Sequence, residues 1–346
     1  MRDVAAAAGR KGEGVRSKII RPATIGVRKR RRVFYGAIAV VVAAFGQSSL
    51  ALAHEGEPLA PHDLWRAWNW DLLILASLAL AGWRYAGGVG SLWQRAGSGR
   101  GVSGWRVAAF SGGLLALFIA LISPLDALSG ALFSAHMVQH LLLMMVAAPL
   151  LVLGAPPVAL TWALPQRWRA RVGRWWHGQT VLRSSWQALS HPAAVWGLYM
   201  SALWVWHLPL LYEAALRSEF IHFLEHGCFL AAAVLFWWTL ARCPLRGRLS
   251  YGAGILYVFT TALHSGLLGS LLTFTPRLWY PIYAASTPGW GLTPLEDQQL
   301  AGVTMWVPMG IIYTIAALAL LGVWLQVMER KERRQREGVW RAKEIS

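Results

Sequence analysis

The sequence predicts an all-α polytopic membrane protein: seven transmembrane helices after an N-terminal signal peptide or signal anchor. Three observations carry this. Charged residues make up 14% of the 346 and hydrophobic residues 56%, where a soluble domain carries about 25% charged residues. Apolar runs of about 20 residues, the length a bilayer core demands, recur along the chain. The loops between them alternate in charge.

Residues 1–32 are basic, lack apolar periodicity and hold eleven of the 33 Lys and Arg. Residues 33–53, VFYGAIAVVVAAFGQSSLALA, supply an apolar core. Ala51-Leu52-Ala53 ahead of His54 has the small-residue form of a cleavage site. Residues 54–328 then form the membrane domain, with spans near 69–88, 106–124, 131–154, 192–212, 219–241, 251–273 and 299–327. Residues 329–346 are a basic tail.

Charge orients these spans. Arg95, Arg100 and Arg106 lie between spans one and two, and Arg167, Arg169, Arg171, Arg174 and Arg183 between three and four. Arg242, Arg246 and Arg248 lie between five and six, and no Asp or Glu falls in these three loops. The opposite side holds Glu55, Glu57, Asp63, Asp71, Asp126, Glu213, Glu219, Glu296 and Asp297. The positive-inside rule therefore places His54 outside and the tail in the cytoplasm. The net charge of +17 belongs to this topology and not to a nucleic-acid partner. Cys228 and Cys243 lack metal or redox spacing and read as packing residues. Many of the 21 Trp cluster at span ends, as an interfacial belt does.

One stretch breaks the apolar pattern. Residues 133–157 read FSAHMVQHLLLMMVAAPLLVLGAPP, and on a helix His136, His140 and Met144 stack on one face. Span five repeats the form: HMVQH becomes HFLEH, with His222 and His226. Titratable groups inside a membrane helix mark a functional site by default. From a rise of about 1.5 Å per residue, His136 and His140 lie roughly 8–14 Å below the outer surface and His222 and His226 roughly 5–11 Å. His207 and His264 fall at similar depth near the outer ends of spans four and six, while span seven carries Met305 and Met309. Soft donors from separate spans thus converge on one level. Gln139 and Glu225 stand beside the pairs as outer partners of ligating imidazoles, with Asp126 at the mouth. His54, as a first residue after cleavage, and His62 are unassigned.

Imidazole suits zinc, copper and iron, and thioether selects Cu(I), so the set favours copper, as Cu(I), over zinc or haem. Three other readings stay open. A zinc-dependent intramembrane hydrolase would activate water on three His and a carboxylate, but buried carboxylates are scarce here. A b-type haem would need histidines on both faces of its ring. A plain scaffold would use the histidines only for hydrogen bonds between helices.

HMVQHLLLMMVAAPLLVLGAPP, preceded by Ser123-Pro124-Leu125-Asp126, resembles the caa3-type cytochrome c oxidase assembly factors, the CtaG membrane protein family. EDQQLAGVTMWVP at 296–308 resembles that family's lead into its last span, and HFLEH, Phe236-Trp237-Trp238 and His264 also sit where members carry them. The resemblance covers about residues 65–327. It implies seven spans and a non-catalytic part in maturing the haem–copper oxidase at a copper step. Its motif positions are His136, His140, His222, His226 and His264, with Asp126, Asp297, Met305 and Trp306 more loosely. The partners it implies are cytochrome c oxidase subunits and periplasmic copper chaperones, beside membrane lipid.

Overall fold

The computed structural model describes residues 59–242 and 249–345. The expectations for segments 1–32 and 33–53, cleavage after Ala53, His54 and Cys243 fall outside the described residues.

The described residues form helices and no strand. After a 3-10 turn at Pro61–Arg66 come α1 (Leu72–Ala96), α2 (Gly104–Ile122), α3 (Pro124–Ala131) and α4 (Phe133–Leu153). They continue as α5 (Pro156–Ala163), α6 (Gln166–Gly178), α7 (Thr180–Leu189), α8 (Pro192–Trp206) and α9 (Pro209–Arg217). α10 (Glu219–Ala241), α11 (Tyr251–Phe274) and α12 (Pro294–Ile345) complete the bundle. Proline opens α3, α5, α8, α9 and α12, where its missing N–H costs nothing and its fixed φ suits the first turn. Asp71 caps α1 by accepting from the N–H groups of Leu73 and Ile74.

Six helices are long and apolar enough to cross a membrane: α1, α2, α4, α10, α11 and α12. The seventh expected span, 192–212, is not one rod. α8 and α9 meet at 74°, because Pro209 drives Leu208 out of helical geometry (φ −66°, ψ 128°). The carbonyls freed there find partners. His207 Nδ1 lies 2.6 Å from the Leu203 oxygen, and the Tyr280 hydroxyl donates to the His207 oxygen at 2.7 Å. α4 also departs from a uniform helix, since residues Leu142–Ala147 form a π turn.

α2, α4, α8, α10, α11 and α12 share one large core, and a smaller core joins α1, α2 and α5 through Tyr85, Phe110 and Ala159. Small residues allow the closest crossings, as in other membrane bundles. A Cβ on Gly302 of α12 would lie 2.5 Å from Thr273 Oγ1 and 2.6 Å from the Gly269 oxygen of α11. Gly302→Val should therefore cost about 3 kcal/mol by overpacking, read as a lowered Tm in detergent. Gly87→Val, on an open face of α1, should leave Tm nearly unchanged.

Candidate metal centre

Two helices supply a compact donor group. On α4, His136 and His140 share a face, and their Nε2 atoms lie 3.0 Å apart. On α10, His222, Glu225 and His226 stand at i, i+3 and i+4 and so line one face. The Glu225 carboxylate oxygens lie 3.7 Å from His136 Nε2 and 3.9 Å from His140 Nε2. One donor atom from each of His136, His140, Glu225 and His226 falls within 4.8 Å of the others. All four residues are buried, Glu225 and His136 completely.

Two further imidazoles close the group. The His222 ring centroid is 5.3 Å from that of His136 and 4.1 Å from that of His226. The His207 ring, at the α8–α9 break, is 6.4 Å from His140. With its Nδ1 committed to the Leu203 carbonyl, His207 keeps Nε2 free. Aromatic rings wall the centre: Phe229 lies 4.6 Å from His140 and Tyr212 lies 5.1 Å from His136. Tyr212 in turn shares a 2.7 Å hydroxyl contact with Tyr283.

The donors fit a cation. Both Glu225 oxygens, and the Nε2 atoms of His207, His222 and His226, are buried without a hydrogen-bond partner among the described residues. Unpaired buried polar atoms cost free energy, and a buried carboxylate costs most. A metal ion would satisfy the carboxylate and several imidazoles at once.

The sequence-predicted residues sort into three places. His136, His140, His207, His222 and His226 come together, and Glu225, expected as an outer partner, stands inside the group itself. His264 does not join it; half-buried, it packs edge-on to Trp196 at 5.5 Å. Met144, Met305 and Met309 are buried in the large core. The π turn that begins at Leu142 takes Met144 off the simple i, i+4, i+8 stripe. His62 is paired with Asp63 near the start of the described residues, at 3.1 Å.

The remaining expected partners hold helices in place instead of touching imidazole. Asp297 of α12 accepts from the N–H groups of Phe133 (2.7 Å) and Ser134 (3.1 Å) and from the Ser134 hydroxyl (2.5 Å). It thereby caps α4 one turn before His136, a favourable place for negative charge. Asp126 of α3 accepts from Asn69 Nδ2 and Gln139 Nε2, at 2.8 and 2.7 Å. Burial pushes the Asp126 carboxyl above the ordinary carboxylate range, against the pull of those two bonds. Gln139 also donates to the Ala120 oxygen, which ties α4 to α2. Tyr212 and Tyr283 escaped the sequence reading because aromatic residues at span ends look alike whether they meet lipid or a site, and Asn69 because no local spacing ties it to Asp126.

Residues 83–327 match the family model described as the cytochrome c oxidase caa3 assembly factor. The chain belongs to this family. Among curated proteins, the chain is 26% identical over 275 residues to an uncharacterized protein of Mycobacterium bovis and to one of Mycobacterium tuberculosis, covering 78% of this chain and 41% of each. It is 28% identical over 264 residues to one of Mycobacterium leprae, covering 74% of this chain and 39% of that one. The chain thus spans about two-fifths of the length of the curated relatives it matches. No solved structure matches it.

The capping role of Asp297 separates it from its neighbour. Asp297→Ala strands three donors and should remove about 3 kcal/mol of stability. Glu296→Ala, which loses only an exposed bond set to Thr293, should cost about 1 kcal/mol or less. Thermal unfolding of the two variants side by side checks this.

Proposed function

We propose that this assembly factor binds one copper ion between α4 and α10 and passes it to a cytochrome c oxidase subunit during assembly. The observation that carries the reading is the buried group of His136, His140, Glu225 and His226, whose carboxylate has no hydrogen-bonding partner of its own. Copper is cargo here, and no catalytic step is involved. Imidazole binds copper well, and among divalent first-row ions affinity peaks at copper. Family membership points to an oxidase as recipient, which favours copper over zinc for a donor set that either ion accepts.

His207 and His222 stand beside the quartet with free Nε2 atoms. They would let copper move by exchange, one donor replacing another, so that it is never without ligands. Met144, Met305 and Met309 belong to the core shared by α4, α10 and α12 and would offer thioether to Cu(I) on a path away from the histidines. The charge alternation of the loops supports an outward-facing site, reached from the periplasm, where copper chaperones would load it.

Metal analysis of the full chain, loaded with copper and freed of excess by gel filtration, tests the reading. Wild type should retain one copper per chain, and His140→Ala or Glu225→Gln should weaken binding on the order of 100-fold or more. His264→Ala should bind as wild type. Equal retention by wild type and His140→Ala would overturn the site. Zinc at one equivalent with no copper uptake would overturn the metal.

A further inference from the structure

A crevice of about 540 Å³ opens between α1, α2, α4 and α10, with Leu78, Leu114, Leu151 and Leu235 among its walls. Two tryptophans line it as well, Trp238 near the end of α10 and Trp186 on α7. Such rings favour the level where acyl chains give way to headgroups.

Guanidinium groups stand on or against the helices that line the crevice. Arg242 lies over the Trp238 ring at 4.7 Å, and Arg183 precedes Trp186 by three residues, hence on the same face of α7. Arg169 and Arg95 both approach Trp162, at 4.3 and 5.7 Å, on the helix whose first residues, Pro156 and Pro157, line the crevice. Arg169 Nε is buried without a hydrogen-bond partner. No carboxylate forms an ion pair with Arg95, Arg169 or Arg183 among the described residues, though Arg183 Nη1 donates to the exposed His177 oxygen at 3.3 Å, and residues 164–191 contain no Asp or Glu.

α6 and α7 bury no residue. Trp168, Val172, Trp175 and Trp176 recur at i, i+4, i+7 and i+8 on α6 and are exposed, with Arg167, Arg171 and Arg174 displaced to one side. A helix of this pattern lies in the membrane interface with its aromatic face in the lipid. Such a position would set α6 and its arginines at the level of the phosphate groups.

We propose that the crevice and its arginine rim form a site for one anionic phospholipid. An acyl chain would fill the apolar cleft, and Arg169, Arg183 and Arg242 would hold the phosphate. Basic pockets between membrane helices recognise anionic headgroups in this way. The role is separate from the copper reading, because none of these residues belongs to the histidine group.

The probe is phosphatidylglycerol competing with phosphatidylcholine. The full chain is reconstituted in nanodiscs holding equal amounts of both, then released, and its retained lipid is identified by native mass spectrometry. Wild type should keep one phospholipid, phosphatidylglycerol preferred by about tenfold or more. The Arg169→Gln/Arg183→Gln/Arg242→Gln variant should still keep a lipid, with the preference gone. Leu235→Trp, or Ser77→Phe if the first does not fold, fills the cleft and should release both lipids. Copper retention should not change in any of these. Equal retention of the two lipids by wild type, or a preference that survives the triple substitution, would overturn the proposal.

Discussion

The architecture turns on one electrostatic constraint: a carboxylate and five imidazoles are held out of water inside an apolar bundle. Neither Glu225 oxygen has a hydrogen-bond donor among the described residues, and the nearest imidazole nitrogens, on His136 and His140, stand 3.7 and 3.9 Å away. In such surroundings a bare negative charge is expensive, and removing it or pairing it with a cation are the available remedies. The neighbouring imidazoles present lone pairs or protons according to what the centre holds, so the group behaves as a unit. Each surrounding feature can be read as a device that keeps this unit together.

Those devices act on helix ends. Asp297 reaches from α12 to cap α4 just ahead of His136, so the last membrane helix fixes the first ligand pair. Asp126, Asn69 and Gln139 join the start of α1, α3 and the body of α4. The break at Pro209 turns His207 inward and leaves its carbonyl to Tyr280. Carboxylates whose residue type suggests chemistry thus serve as struts, and the one that faces the imidazoles comes from α10. Placement of ligands by packed and hydrogen-bonded supports is the general requirement for a metal site.

Much of this was legible in the sequence, and the misreadings have physical causes. Apolar length alone fixes seven hydrophobic stretches, and proline at a helix start marks several boundaries. The pairs His136/His140 and His222/His226 announce a shared face because i, i+4 spacing is independent of tertiary context. Depth, by contrast, says nothing of azimuth: His264 has the expected height and faces Trp196 instead. Met144 followed the α-helical stripe on paper, but the π turn at Leu142–Ala147 changes the register just after His140. Gln139 and Glu225 occupy matching places in the two motifs and yet differ in role. α4 lies against α2 and α3, which claim Gln139, while α10 turns its i+3 position toward the centre. Which flank of a helix is covered depends on neighbours that no local pattern encodes.

X-ray absorption on the copper-loaded full chain tests the central claim most directly, because it reads donor atoms without mutation. The account predicts a first shell of nitrogen and oxygen with the outer-shell scattering of several imidazoles. A shell made of sulfur, or one lacking imidazole scattering, would contradict a centre built from His136, His140, Glu225 and His226.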